Sequence, residues 1–479
     1  MDKEVLKRLF REYSGKEAEI FSALPPAGSN RKYFRIGITD GISAIGAFNN
    51  DVAENRAFLT FSSHFRSKGL PVPGIFRISD DYRYYLMEDL GDISLKDLVE
   101  IHRTDTNFPE YLVSIYKQVL QWLIKFQTGA HQGLDYSVCM PRDSFDFRSI
   151  LWDLNHFKYF FLKLSHIPYS ENLLEDDFQS LASDLDKTDR NHFMYRDFQS
   201  RNIMVQGDKL SFIDYQGGRK GALQYDVASL LFEARTNLPA ELREKLFHFY
   251  YSELLRLKIV NTDEVAFRQV YMNFALIRQL QAMGAYGLRG WIEGKPLFIQ
   301  SISYAVKNLE WIIKECNTNL VSYPELNRVL NDITKNKKLL DIKDPEANEL
   351  VVRIYSFSYF RGIPDDISGN GGGYVFDCRH IHNPGRYPEY SQLSGLDHDI
   401  EKFFIEKTNM PTFLNTVFSI IDQTVKAYQE RDFKHLQVSF GCTGGKHRSV
   451  YAARKLCEHL ENAGIKVKIE HLEIKDLFF

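Results

Sequence analysis

Apolar positions recur with two different periods along the chain, and the change of period divides it. Up to about residue 90 the runs are short and β-like, as in Lys32-Tyr33-Phe34-Arg35-Ile36 and Tyr84-Tyr85-Leu86-Met87, around one helical stretch near Val52–Lys68. From Ser94 to about Lys338 the spacing becomes three and four, as in Val113, Tyr116, Leu120, Leu123 and Ile124, which predicts a mostly helical region. A β-rich island at roughly 193–215 interrupts it. The polar, charged stretch from Lys335-Asn336-Lys337-Lys338 to Asp344-Pro345-Glu346-Ala347-Asn348 predicts a domain boundary. Beyond it come a strand at Leu350–Phe357, a loop with Gly369, Gly371, Gly372 and Gly373, and a strand at Tyr374–Asp377. A helical region near 397–430, a strand at Leu436–Phe440 and a helix from Ser449 follow. Strands alternating with helices predict an α/β domain.

Composition narrows the class. The 479 residues are 44% hydrophobic and 26% charged, which excludes wholesale disorder and leaves room for more than one core. Lys plus Arg is 60 against 63 Asp plus Glu, so the net charge of −3 gives no support to a dedicated nucleic-acid binder. The five cysteines (Cys139, Cys316, Cys378, Cys442, Cys457) are scattered without CxxC pairs, which excludes a disulfide scaffold and fits a reducing compartment. No apolar run approaches the ~18 residues of a membrane helix, and the N-terminus mixes acids and bases unlike a secretory signal. The expectation is a soluble, cytoplasmic protein with no membrane partner.

The β-rich island carries the most chemistry. It reads Tyr195-Arg196-Asp197-Phe198-Gln199-Ser200-Arg201-Asn202 and continues to Ile213-Asp214-Tyr215. Ile203-Met204-Val205 and Leu210-Ser211-Phe212-Ile213 can pair as a hairpin around Gln206-Gly207-Asp208-Lys209. Asn202 then begins one strand and Asp214 ends the other, so both oxygen ligands meet at the open end. ATP-dependent phosphoryl transfer needs such a set: one carboxylate, Asp197, to orient or deprotonate an acceptor hydroxyl, and hard oxygen ligands, Asn202 and Asp214, to hold Mg²⁺.

On these residues the chain resembles the aminoglycoside phosphotransferase branch of the protein-kinase-like superfamily over roughly 1–320. Ala27-Gly28-Ser29-Asn30-Arg31-Lys32-Tyr33-Phe34-Arg35, Leu86-Met87-Glu88-Asp89-Leu90-Gly91 and Tyr225-Asp226-Val227-Ala228 carry the resemblance as well. It implies an α+β kinase-like domain over 1–340, with a small β-rich N-lobe at 1–90 and a helical C-lobe at 91–340. It also implies ATP contacts at Ser29 and Asn30 and at the backbone of Glu88, Asp89 and Leu90. Asp226 sits at a plausible helix N-cap, a structural role. Tyr195 stands where protein kinases have His, and no lysine occurs between Ile36 and Arg56, so protein phosphorylation is not expected. Lys32 or Arg35 could neutralise phosphate instead, although a solvated charge is the plainer role for each. Arg278-Gln279-Leu280-Gln281-Ala282-Met283-Gly284, Gly294-Lys295-Pro296 and Gly69-Leu70-Pro71-Val72-Pro73 resemble the anomeric N-acetylmuramate/N-acetylglucosamine kinases of cell-wall recycling. That resemblance implies an amino-sugar substrate; the segment 270–290 by itself reads as an amphipathic core helix.

The C-terminal third offers a second anion site. Leu436–Phe440 runs into Gly441-Cys442-Thr443-Gly444-Gly445-Lys446-His447-Arg448-Ser449 and then a helix, so free N–H groups and a dipole end face the loop. It is not a Walker A loop, because Lys446 and His447 occupy the positions that need Gly and Ser/Thr. Cys442 and Arg448 have the spacing of cysteine-dependent phosphatases, which leaves a bifunctional kinase–phosphatase open. With Asp377-Cys378-Arg379-His380-Ile381-His382-Asn383-Pro384 and Leu393-Ser394-Gly395-Leu396-Asp397, the region 347–479 resembles the C-terminal domain of the RNase adapter protein RapZ. The resemblance implies binding of glucosamine-6-phosphate or a similar amino-sugar phosphate effector through Cys442, Thr443, Gly444, Gly445, His447 and Arg448, with Asp377, Arg379 and Asn383. It also implies, in some members, RNA binding. From residue 347 on there are 16 basic against 17 acidic side chains, so RNA is not the expected partner. A RapZ-like adapter with a vestigial kinase domain is the other alternative, and the intact Asp197, Asn202 and Asp214 argue against it.

Overall fold

Alternation in the first ninety residues becomes an antiparallel sheet in the computed structural model. The structure describes residues 2–24, 31–39, 41–103, 108–315, 320–340, 342, 350–364, 366, 373–431 and 433–474. Strands β1 (Ile20–Ala23), β2 (Lys32–Gly37), β3 (Ser43–Phe48), β4 (Ile75–Ile78) and β5 (Tyr84–Glu88) lie in the order β1-β2-β3-β5-β4. Successive side chains of β5 go to opposite faces: Tyr84 and Leu86 meet Leu6, Leu9 and Phe10 of helix α1 (Asp2–Ser14). Tyr85 and Ala47 instead join Phe58 of helix α2 (Val52–Ser67), whose N-terminus is capped by Asp51.

The helical region contains α3 (Leu95–His102), α4 (Glu110–Ile124), α5 (Phe147–Phe157), α6 (Glu171–Asp186), α7 (Leu223–Leu231), α8 (Ala240–Arg256), α9 (Glu264–Tyr286) and α10 (Pro296–Glu315). Helix α3 starts on a capping box of Ser94 and Asp97. Helix α9 is central, buried against α5, α7 and α10. Its glycines permit this: a Cβ on Gly284 would lie 2.3 Å from His156 Nδ1. The island is two small antiparallel pairs, β6 (His192–Met194) with β9 (Arg219–Gly221) and β7 (Ile203–Gln206) with β8 (Lys209–Phe212). Gln206 pairs with Lys209, so the hairpin closes through two residues, with Gly207 at φ 58°.

The chain divides into two compact units, Met1–Lys343 and Asp344–Phe479. The second holds a parallel sheet of β10 (Val351–Ser358), β11 (Tyr374–Asp377), β12 (His435–Cys442) and β13 (Lys466–His471) in the order β11-β12-β10-β13. Val352, Ile354, Val438 and Phe440 pack there with Phe403, Ile421 and Leu456. The single helical region expected near 397–430 is two helices, His398–Lys407 and Met410–Glu430. Thr408 adopts extended backbone between them, and a proline begins the second. Strand β13 was not expected. Its lysines alternate with apolar residues and it lies on an exposed edge, where charge guards against further pairing.

Candidate active site

The loop between β6 and β7 is held by buried groups on three sides. Tyr195 is buried where protein kinases have His, and its hydroxyl donates to the Ile213 carbonyl at 2.6 Å. The backbone N–H groups of Tyr195 and Arg196 donate to the two carboxylate oxygens of Asp226, at 2.7 and 2.9 Å. Asp226 is fully buried in the first turn of α7, whose N-cap is Ala222; it is a loop anchor and not the expected helix cap. Burial pushes the Asp226 carboxyl up to about 7, against the pull of those two donors. The Arg196 guanidinium forks onto Asp153 at 2.7 and 2.6 Å and touches the Tyr225 hydroxyl at 2.6 Å. These contacts over-determine the left-handed backbone of Arg196, at φ 78°. Asp197 follows with its side chain 41% exposed, the accessible carboxylate of the loop.

Asn202 and Asp214 converge at the open end of the β7–β8 hairpin. Asn202 Nδ2 donates to the Asp197 carbonyl at 2.8 Å and to Asp214 Oδ2 at 3.2 Å. Both partners are acceptors, so the amide nitrogen faces them and Oδ1 is the atom left to ligate a cation. Asp214 Oδ1 accepts from Gln216 Nε2 at 2.8 Å. Burial first, and the Asp197 charge second, push the Asp214 carboxyl up. Gln216 Oε1 is buried without a hydrogen-bond partner. Two neighbouring carboxylates, one of them half-buried and desolvated, with amide oxygens beside them are the environment that a hard divalent cation relieves. Among the described residues no group of three or more His, Cys, Asp or Glu side chains could hold a metal by itself. A cation here would complete its shell with water or phosphate oxygens, as Mg²⁺ commonly does.

The network extends beyond the three residues legible in sequence. Gln216 Nε2 also donates to Glu54 Oε1 at 3.3 Å, and Glu54 Oε1 lies 3.3 Å from Arg31 Nη2. At the other end, Arg278 of α9 places Nη2 3.5 Å from Asp197 Oδ1 while its Nε donates to Ser229 Oγ at 2.9 Å. The chain of contacts thus runs from an arginine beside α2 to an arginine on α9. Arg278 lies in the segment that resembles the amino-sugar kinases and that by itself reads as an amphipathic core helix; the available signal was an arginine directly after the apolar run Phe274-Ala275-Leu276-Ile277.

Ser29 and Asn30, expected at the nucleotide, lie outside the described residues. Glu88 accepts from the Gly74 N–H at 2.9 Å, and Asp89 is gripped by the Arg35 fork at 2.7 and 3.0 Å and by Ser43 at 2.9 Å. Both side chains therefore brace the segment that ends in the buried Leu90. Arg35 also reaches Asp92, so it is committed to this brace and is not a phosphate partner. Lys32 is exposed beside the Phe48 ring. The cation buried against α2 is Arg31.

In the second unit the predicted ligand residues form two segments joined by one side chain. Thr443, Gly444 and Lys446 are exposed on the loop after β12, and Gly445 turns it at φ 68°. Cys442 is buried, with Sγ 3.2 Å from Ser449 Oγ. Arg448 Nη1 donates to the carbonyls of Arg379 and Ile381 at 3.0 and 3.1 Å, and Nη2 to Thr443 Oγ1 at 3.4 Å. Arg448 therefore ties the loop to the 377–383 segment, and only its Nη2 end faces the loop. His447 Nε2 lies 3.1 Å from the Tyr390 carbonyl, and burial pulls its pKa down. Arg379 pairs with Asp377 at 2.6 Å over the Tyr359 ring, and Asn383 caps the turn at Gly385.

An antiparallel small lobe, a helical body and this carboxylate–amide cluster define a protein-kinase-like fold, followed by a separate parallel-sheet domain. Residues 21–260 match the phosphotransferase enzyme family. The chain belongs to that family. Residues 350–475 match the RapZ C-terminal domain. A nucleotide-binding protein of Thermotoga neapolitana is 35% identical over 130 residues, 27% of this chain and 44% of that protein. One of Idiomarina loihiensis is 34% identical over 127 residues, 26% of this chain and 43% of that protein. The chain thus spans less than half the length of these two curated relatives. Among solved structures, a choline/ethanolamine kinase family protein from Mesorhizobium loti is similar with a TM-score of 0.42 at 12% identity, covering 70% of this chain and 100% of that one. Aminoglycoside phosphotransferase APH(2″)-Ib, ADP-bound, is similar with a TM-score of 0.41 at 12% identity, covering 70% and 99%. Among the described residues no helix is long and apolar enough to cross a membrane.

Proposed function

We propose that the first unit, over 1–340, transfers the γ-phosphoryl group of ATP to an alcohol group of an amino sugar. The acceptor we favour is the anomeric hydroxyl of N-acetylmuramate or N-acetylglucosamine, in cytoplasmic cell-wall recycling. The observation that carries phosphoryl transfer is the convergence of Asp197, Asn202 and Asp214, with Asn202 bonded to the Asp197 carbonyl and the Asp214 carboxylate. The choice of acceptor rests on the resemblance of residues 278–284 and 69–73 to amino-sugar kinases. Asp197 orients the acceptor hydroxyl and takes its proton as the new O–P bond forms. Asn202 Oδ1 and the Asp214 carboxylate would hold Mg²⁺, which when bound neutralises charge on the phosphate oxygens. Asp226 fixes the loop so that Asp197 is presented at a constant angle. Arg278 holds the Asp197 carboxylate from the α9 side.

The second unit, over 347–479, is read as a binding domain for an amino-sugar phosphate such as glucosamine-6-phosphate. The exposed Thr443, Gly444 and Lys446 at a helix N-terminus support an anionic ligand there. The test is a panel of amino sugars assayed for ATP consumption by the full-length protein, with phosphorus NMR on the product. An anomeric phosphate on an N-acetylated sugar is the expected result. Turnover confined to choline-like or aminoglycoside acceptors would refute the substrate assignment.

A further inference from the structure

We propose that Arg31 is the cation that meets the β-phosphate of the nucleotide, supplied from the residue just before β2 in place of a lysine on β3. The inference rests on the phosphotransferase reading above. In protein kinases a lysine of the third strand contacts the phosphates and pairs with a helix glutamate. Here β3 reads Ser43-Ala44-Ile45-Gly46-Ala47-Phe48 and carries no cation. Its residue on the α2 side, Ala47, is fully buried and stands opposite Tyr33 of β2. The small side chain leaves the space beneath the strand to its neighbour. The Tyr33 hydroxyl accepts from Arg31 Nη1 at 3.3 Å.

The guanidinium is then placed as such a lysine would be. Its side chain is 2% exposed, with Nη2 3.3 Å from Glu54 of α2 and the Phe58 ring centroid 5.8 Å away. Glu54 accepts from Gln216, and the same amide nitrogen donates to Asp214. One carboxylate and one amide therefore separate Arg31 from the proposed metal ligand, and phosphates bound at Asp214 fall within reach of a long cationic side chain. The competing cations of this strand are placed elsewhere: Arg35 is committed to Asp89 and Asp92, and Lys32 is exposed. A guanidinium also suits phosphate better than an ammonium where bidentate contact is available.

Affinity as a function of phosphate number separates this role from mere lobe packing. Calorimetry on the full-length protein with Mg²⁺ should compare ATP, ADP, AMP and adenosine for the wild type, Arg31→Ala, Arg31→Lys and Glu54→Gln. In Arg31→Ala, ATP and ADP are expected to weaken about 10- to 100-fold, the scale of a lost charge-assisted contact, while AMP and adenosine change less than about twofold. Arg31→Lys should recover most of that loss, and Glu54→Gln should weaken ATP more than AMP. An equal loss for all four ligands assigns Arg31 to packing and overturns the proposal, as does an unchanged ATP affinity. If Arg31→Ala does not fold, Arg31→Gln and Glu54→Gln carry the same comparison. A wild type that binds no nucleotide at all would instead sink the phosphotransferase reading, and this proposal with it.

Discussion

Replacing Asp226 by Asn separates two roles of one buried carboxylate. In the wild type its two oxygens accept the N–H groups of Tyr195 and Arg196 at 2.7 and 2.9 Å. Asparagine keeps one acceptor and turns an NH₂ group toward the other N–H, so one charge-assisted bond is lost, about 1.5–3 kcal/mol. Against this, the carboxylate is held in a fully buried place that raises its pKa from 3.8 to about 7. At 1.36 kcal/mol per pH unit, keeping it ionised costs of the order of 4 kcal/mol above that pKa. The native state binds the proton more tightly than the unfolded chain does. The contribution of Asp226 is therefore fully present below 3.8 and is lost as pH rises to about 7. Urea unfolding between pH 4 and 8 should show the stability advantage of the wild type over Asp226→Asn shrinking by roughly 4 kcal/mol as pH rises. Activity should move the opposite way. Ionised Asp226 grips both N–H groups, so wild-type kcat climbs as pH rises through about 7. The variant, with Asp197 less well placed, should fall about 10²-fold below the wild type in kcat above pH 7, with the deficit shrinking below it. Parallel stability curves for the two proteins, together with near wild-type kcat in the variant, would refute the reasoning.

The remaining predictions concern other groups. Asp197→Ala should lower turnover by about 10²–10⁴-fold while leaving ATP affinity by calorimetry nearly unchanged. No phosphatase activity on an aryl phosphate is expected, because the Cys442 thiol is buried and Arg448 Nη1 already serves two backbone carbonyls. Hydrolysis that vanished in Cys442→Ser but persisted in Asp197→Ala would overturn that expectation. Gly287→Ala should lower stability by about 1–3 kcal/mol or more in a urea titration, because its Cβ would lie 1.8 Å from the Phe160 carbonyl oxygen. A melting curve like that of the wild type would mean that the segment at 158–162 yields freely.

What could be read in the sequence was what is local in the sequence. Asp197, Asn202 and Asp214 were legible because a short hairpin brings them together, and the pairing of Ile203 with Phe212 does so. Arg278 was not, since it lies 81 positions from Asp197 and reaches it only through the packing of α9. Asp226 could be picked out as a notable residue, but its partners are backbone groups 30 and 31 positions away, which no side-chain pattern records. Arg31 was not legible as the buried cation: strand alternation separates it from Lys32, and only the pairing of Arg35 with Asp89 and Asp92, far along the chain, separates it from Arg35. Ala47 opposite Tyr33 is the fact that admits it. In the second unit, the glycine loop was legible from composition. The commitment of Arg448 to the carbonyls of Arg379 and Ile381 depends on where the 377–383 segment settles.

Gln216 has one NH₂ group, and both its bonds are spoken for, one by Asp214 and one by Glu54. A single amide is thus a shared hinge pin with no spare donor. Whatever draws the Asp214 carboxylate toward a cation must shift the hold on Glu54, and whatever displaces Glu54 must alter the readiness of Asp214. Thermodynamic linkage makes that dependence reciprocal, so the cation and the nucleotide each set the other's affinity by the same factor. The order of loading is left to the rates; the two affinities can only rise together or fall together.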